Sequence, residues 1–322
     1  MKTERTPIEY FGKSGNAGIW LKREDRIPTA LGGNKVRILE EVFSEMTERD
    51  CDALVTYGSA SSNLNRAAVL MAKEREIPVT VIIKQEYGTE GARSAPGRNE
   101  QIVRESGARI LETAPDRVRE TVREALEQFR NEGKNPYYVY GDETGKGGEA
   151  VLLRAYRKVF AEILQQEKEL GIRFETIAVP VGTGATLAGL VSACDESHRI
   201  LGISVSRTGQ AIRERLEQDL AAAGMPGSIA EQLSRAEITD RYLCGGYGHS
   251  DDAQRKLIRS VYAEKSVPLD PVYTGKAFYG LTEEIKEGRT GKTVLFLHTG
   301  GYPLFLDFLS VRDGSCGHIS AR

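Results

Sequence analysis

Between residues 52 and 140, short apolar runs take turns with segments of helical period, and this alternation restricts the fold more than any other feature. Residues 52–57, 78–83, 108–111 and 137–140 have strand length and carry β-branched or aromatic side chains. Residues 65–75, 99–106 and 115–131 lie between them with a helical rhythm. Val118, Val122, Leu126 and Phe129 share one face of the last. Strands that alternate with helices pair in parallel, because a parallel partner needs a long crossover to bring the chain back. The pattern resumes after a helix expected over 149–170, with strands at 177–181, 200–206 and 293–297 and a helix near 212–223. A chain of 322 residues can bury more than one core. The expected fold is therefore α/β and two-lobed, each lobe a mostly parallel sheet flanked by helices.

Other stretches read as irregular. Residues 1–30 form an arm with one short strand at 18–22, and Arg23-Glu24-Asp25-Arg26 reads as a solvated turn. Residues 86–98 read as a polar loop and 224–250 as irregular chain. A net charge of −2 gives no reason to expect nucleic acid or an anionic membrane as partner. No apolar stretch is long enough to span a bilayer, and the charged residues 1–5 lead into no apolar run, so the expected location is cytoplasmic. Cys51, Cys194, Cys244 and Cys316 are scattered singly, as are the four His, so no metal site is expected. Most of these thiols read as buried; Cys316, in a Gly- and Ser-containing tail, reads as exposed.

The loops carry the chemistry. Gly32-Gly33-Asn34-Lys35 precedes a helix expected from Val36 to about residue 49. Glycine permits unusual backbone angles and Asn is a good N-cap, so Lys35 would leave the first helical turn. The positive end of the helix, with some burial, favours its neutral amine, a nucleophile towards carbonyls, although the motif alone reads more readily as a solvated lysine at a helix start. Gly182, Thr183, Gly184, Ala185 and Thr186 stand where a strand hands over to a helix, a place where backbone N–H groups bind phosphate. A dinucleotide loop would need Gly where Leu187 stands, although Arg207 ends the next strand, where a ribose phosphate could be met. Residues 57–66, with Ser62 and Asn63, offer hydroxyl and amide donors at a second strand-to-helix junction, suited to an amino-acid carboxylate or to capping alone. Tyr247 and Tyr273 lie in Gly-containing irregular stretches, as acid–base or packing residues. His298, just after a strand, reads as structural. The Gly-rich run 141–148 lacks the spacing and the hydroxyl of a nucleotide loop and reads as a connector between lobes.

Taken in order, these motifs resemble the 1-aminocyclopropane-1-carboxylate deaminase and D-cysteine desulfhydrase family. This is a branch of pyridoxal 5'-phosphate (PLP) enzymes with the tryptophan synthase β-like fold, fold type II. The likeness runs from Leu21-Lys22-Arg23-Glu24-Asp25 to His298-Thr299-Gly300-Gly301. It implies that Lys35 carries the cofactor as a Schiff base. It implies that Ser62 meets the substrate, Asn63 lies beside the cofactor's phenolic oxygen, and Gly182 to Thr186 cup its phosphate. Tyr247 and Tyr273 match two tyrosines that face the substrate, and Thr274 falls at the position that contacts the pyridine nitrogen. The resemblance also implies a large domain of residues 1–47 plus 148–322, a small domain of 48–147, and a homodimer.

Three departures bear on the reaction. The deaminases have Glu where this chain has Thr274, and a hydroxyl leaves the ring nitrogen unprotonated more readily than a carboxylate does. Leu64 replaces a polar residue after Ser-Asn, and Ala185 replaces a Ser of the cup. The expected activity is β-elimination and deamination of a small amino acid with a β-leaving group. Ring opening of a cyclopropane amino acid, a β-replacement synthase and a non-catalytic nucleotide- or amino-acid-binding protein are the alternatives.

Overall fold

The computed structural model describes residues 3–85, 96–224 and 227–310. Cys316 and residues 86–95 of the expected polar loop lie outside them. The chain opens with a hairpin, β1 (Ile8–Ser14) and β2 (Ala17–Arg23), followed by α1 (Asn34–Glu48). A first series runs β3 (Ala53–Gly58), α2 (Asn63–Lys73), β4 (Val79–Lys84), α3 (Arg98–Glu105), β5 (Arg109–Thr113), α4 (Val118–Asn131) and β6 (Pro136–Tyr138). The long α5 (Glu149–Leu170) leads into β7 (Thr176–Val181), α6 (Ala185–Val191), β8 (Arg199–Ser204), α7 (Gly209–Ala222), α8 (Ile229–Ser234) and β9 (Ala236–Thr239). The end comprises α9 (Asp252–Lys265), α10 (Thr274–Lys286), β10 (Thr293–His298) and α11 (Tyr302–Ser310).

Two sheets result. One has the order β5-β4-β3-β6 and is parallel throughout. The other has the order β1-β2-β10-β7-β8-β9 and is parallel except for the β1–β2 hairpin. The central strands read as continuous apolar runs because helices cover both faces: every residue of β7 is buried. Val36, Leu39, Val42 and Met46 of α1 are buried, and α1 lies against α5.

The structure adds elements that the pattern did not indicate. β1 and β9 are edge strands and α8 is a helix of 6 residues, so none carries a long periodic signal. The Asp142 carboxylate organises the Gly-rich connector, accepting from the Thr144 N–H at 2.8 Å and the Lys146 N–H at 3.2 Å.

Three of the four charges at 23–26 are a correction, while Arg26 is exposed as expected. Arg23 is buried between Asp25 (2.7 Å) and Glu9 (2.8 Å), and Glu24 is fully buried. Glu24 pairs with Arg37 of α1 at 3.1 Å and accepts from the Thr6 hydroxyl at 2.6 Å and from the Tyr156 hydroxyl at 3.3 Å. The same cluster contains Lys22, fully buried, which donates to Thr6 O (2.8 Å), to Gln166 Oε1 (2.7 Å) and to Glu162. Adjacent charges looked solvated because their partners, Glu9, Arg37 and Tyr156, lie elsewhere in the chain.

Removing one member of such a buried cluster strands the others. Lys22→Met should lower the unfolding free energy by about 3 kcal/mol, as expected for a buried pair that loses one partner. The urea midpoint should fall with the slope unchanged; an unshifted midpoint would show the cluster to be energetically idle.

Candidate active site

The backbone before α1 turns through four left-handed residues, Ala30 (φ 49°), Leu31 (φ 61°), Gly32 (φ 71°) and Gly33 (φ 100°). At Gly32 a Cβ would come 2.5 Å from Asp25 O, and at Gly33 it would come 2.8 Å from Thr299 O. Only glycine fits either place. The turn is held by Gly33 N–H to Glu24 O (2.8 Å), by Asn34 N–H to Thr299 O (3.1 Å), and by the buried Arg66. Arg66 donates to Ala30 O and, at 3.3 Å, to Gly32 O. Asn34 was expected to cap the helix. The cap residue is instead Gly33, and the Asn34 amide donates to Thr186 Oγ1 at 2.9 Å. The residue before Lys35 is thereby tied to the loop after β7.

That loop contains Gly182, Thr183 and Gly184 and leads into α6 at Ala185 and Thr186. Gly184 has φ 106°. Among the described residues, the N–H groups of Thr183, Gly184, Ala185 and Thr186 have no protein acceptor. Converging free donors of this kind form an anion-binding nest.

Ser62 and Asn63 begin α2 after β3. Ser62 Oγ accepts from the Asn65 N–H at 3.2 Å, so the capping reading of this loop holds. Asn99 of α3 donates to Asn63 Oδ1 at 2.9 Å and to Ser61 O at 2.8 Å. The Asn63 amide is thus oriented with its own donors left for an acceptor in the cavity.

A cavity of about 400 Å³ joins these loops. Lys35, Ser62, Asn63, all five residues from Gly182 to Thr186, Tyr247 and Tyr273 line it together. The phenols of Tyr247 and Tyr273 are hydrogen-bonded at 2.7 Å, with ring centroids 5.8 Å apart in an edge-on arrangement. Burial pushes the Tyr273 phenol well above its usual range, with the nearby Tyr247 adding to the effect. Burial lowers Lys35 to about 8, so a substantial share of its amine is neutral near pH 8.

Thr274 does not line the cavity. Its hydroxyl donates to Asp270 Oδ2 at 2.7 Å and accepts from the Asp270 N–H at 2.8 Å, at the start of α10. Contact between Thr274 and a ring in the cavity is therefore not supported, because a neighbouring carboxylate has taken the hydroxyl. The threonine that does line this wall is Thr299. Sequence reasoning also missed Tyr140, Asp270 and Asn99. Tyr140 and Asp270 line the cavity, and Asp270 Oδ1 accepts from the Val272 and Tyr273 N–H groups at 2.9 and 2.8 Å. The Asp-Pro pair before Tyr273 was the available signal for Asp270; nothing in the sequence marked Asn99. His298 is structural: Gly300 N–H donates to its Nδ1 at 3.3 Å, and its Nε2 bonds Pro268 O at 3.0 Å.

Comparison with known proteins bears on this arrangement. A family profile described as pyridoxal-phosphate dependent enzyme matches residues 2–300. A Pyrococcus abyssi protein with the provisional name 1-aminocyclopropane-1-carboxylate deaminase is 32% identical over 307 residues, covering 92% of this chain and 89% of that one. A D-cysteine desulfhydrase of Salmonella paratyphi A is 29% identical over 315 residues, covering 92% of each. The crystal structure of an ACC deaminase homologue superposes with a TM-score of 0.79 at 28% identity, covering 95% of this chain and 94% of that one.

Gly33→Ala would push a methyl group into Thr299 O at a left-handed φ and displace Lys35 from the cavity wall. The variant should lose about 1–3 kcal/mol of stability, read by urea unfolding. It should also lose the wild-type chain's absorption on adding pyridoxal phosphate. Unchanged values of both would refute the steric role of Gly33.

Proposed function

The chain belongs to the family of pyridoxal-phosphate-dependent enzymes, and on that premise we propose that it is a lyase acting on a small amino acid with a leaving group on its β-carbon. With uptake of one water, which supplies the oxo oxygen, the products are the free leaving group, a 2-oxo acid and ammonia, as a desulfhydrase would form them from a cysteine. The observation that carries this reading is the hydrogen-bonded pair Tyr247–Tyr273 in the same cavity as Lys35 and the anion nest.

The donor set fits the cofactor. The free N–H groups of Thr183 to Thr186 suit its phosphate, the oriented amide of Asn63 suits its phenolic oxygen, and Lys35 suits its aldehyde. Of the two threonines considered for the ring nitrogen, only Thr299 lines the cavity, and we assign that contact to it. Asp270 is the one carboxylate among the lining residues, and its oxygens already accept from Val272, Tyr273 and Thr274. A ring nitrogen left without an acidic partner favours elimination over opening of a cyclopropane.

Bound pyridoxal phosphate supplies an electron-withdrawing ring that stabilises negative charge at the substrate's α-carbon. Ser62 and the start of α2 hold the substrate carboxylate. Lys35, displaced by the substrate amine, accepts the α-proton on Nζ; its lowered pKa keeps that nitrogen available. Tyr247, backed by Tyr273, delivers a proton to the departing β-group. Leu64, buried at the cavity wall, limits water there. The proposal includes Ser62-Asn63 on a small domain of 48–147, with 1–47 plus 148–322 forming the large one. It also includes a homodimer in the cytoplasm, where the free thiols of Cys51, Cys194 and Cys244 would persist.

Lys35→Ala should abolish both turnover and the visible absorption of the purified protein, with a panel of D- and L-amino acids as substrates. Turnover that survived with unaltered absorption would exclude the mechanism. A cyclopropane amino acid belongs in the panel, because relatives carry both names; its exclusive turnover would overturn the elimination reading.

Capture of the cofactor by the cofactor-free protein should depend on pH. Only the neutral Lys35 amine attacks an aldehyde, so the rate should climb as pH rises to about 8 and level off above it. Stopped-flow absorbance measures this, and a rate still climbing in proportion to hydroxide at pH 10 would contradict a lowered pKa.

A further inference from the structure

Lys276 is fully buried one turn into α10, three residues after Tyr273. Its ammonium donates to Val205 O (3.2 Å), Leu243 O (2.8 Å) and Gly246 O (2.7 Å). Three donors meet three backbone carbonyls, and among the described residues the group has no carboxylate within ion-pair distance. The carbonyls come from the chain just after β8 and from the turn before Tyr247. That turn is left-handed at Cys244 (φ 47°), Gly245 (φ 92°), Gly246 (φ 110°) and Gly248 (φ 77°), a conformation glycine adopts freely and that costs only Cys244. Lys276 therefore joins three pieces of chain at one point, one residue from Tyr247 and three from Tyr273, whose phenols meet at 2.7 Å.

We propose that Lys276 is a positioning residue for Tyr247, an internal cation whose removal leaves a carbonyl-lined site that a free monovalent cation can fill. Oriented carbonyl oxygens that replace a hydration shell suit potassium or ammonium as well as a lysine head group. Burial lowers Lys276 to about 8, and the nearby Cys244, Asp251 and Asp270 act against that shift. The role rests on the assignment of Tyr247 to the substrate.

The test uses the cofactor-loaded Lys276→Ala, Lys276→Met and Tyr247→Phe variants in potassium, ammonium and methylammonium chloride, with lithium chloride as reference. Lys276→Ala should keep the absorption of the Lys35-bound cofactor. Its kcat should fall about 10²-fold, the scale of an ångström-sized misplacement, with a smaller change in KM. Ammonium, methylammonium or potassium should restore most of the loss and raise the Tm of Lys276→Ala, while leaving the wild type unchanged. Lys276→Met, which fills the volume, should not respond. An active Lys276→Ala, or an inactive one whose kcat and Tm respond to none of the cations, overturns the proposal. If Lys276→Ala is unfolded in lithium chloride, recovery of a cooperative transition in the other salts decides instead, and no recovery overturns it. Full activity in Tyr247→Phe overturns the assignment of Tyr247. Loss in Tyr247→Phe beside an unimpaired Lys276→Ala overturns the role of Lys276 alone.

Discussion

Two backbones meet without side chains between them where residues 32–33 cross residues 299–301, and the site depends on that contact. A Cβ on Gly300 would sit 2.5 Å from Gly33 Cα, and one on Gly33 would sit 2.8 Å from Thr299 O. The contact places Lys35 at the mouth of β10, although more than 250 residues separate the two segments. It continues along the chain, because Gly301 leaves room for the Asp270 carboxylate, which fixes the N–H groups of Val272, Tyr273 and Thr274. Lys35 and Tyr273 are therefore located by one run of close packing, with Asn34–Thr186 fixing the distance to the anion nest.

Buried cations in this fold divide into two kinds. Lys22 and Arg37 sit among the carboxylates of Glu24 and Glu162 and stabilise the arm against α5. Arg66 and Lys276 donate to backbone carbonyls, and burial lowers both, to about 10 and about 8. Carbonyl dipoles hold a cation without adding net charge. A second set of carboxylates beside the cavity would have worked against a dianionic phosphate and a substrate carboxylate. Arranging the braces of the site this way leaves the nest electrically uncompensated by protein acids.

Much of this architecture was legible. Parallel strands covered on both faces must be continuously apolar, so the runs at 52–57, 78–83, 177–181 and 293–297 announced themselves. The loops after the first and third of these runs carried Ser62, Asn63 and the residues from Gly182 to Thr186, which line one cavity with Lys35 at the start of α1. Edge strands were legible only in part: β5 and β6 were expected, whereas β1, with no fully buried residue, and β9, with 4 residues, gave no pattern. Thr274 and the 23–26 cluster misled for a shared reason. A polar side chain shows its type in sequence but not its partner, and Asp270, Arg37 and Glu9 had already claimed these groups.

By itself, the sequence determined the fold class, the strand-end loops and the kind of chemistry each loop could do, because period and glycine spacing are local properties. Tertiary structure alone decided which side chains are spent on one another and which remain for a ligand. It assigned Thr274 to Asp270 and left Thr299 on the wall, turned Asn34 from a cap into a tether, and oriented Asn63 through Asn99. Lys35, which its own motif could equally have left in solvent, received its lowered pKa only from the walls that close around it.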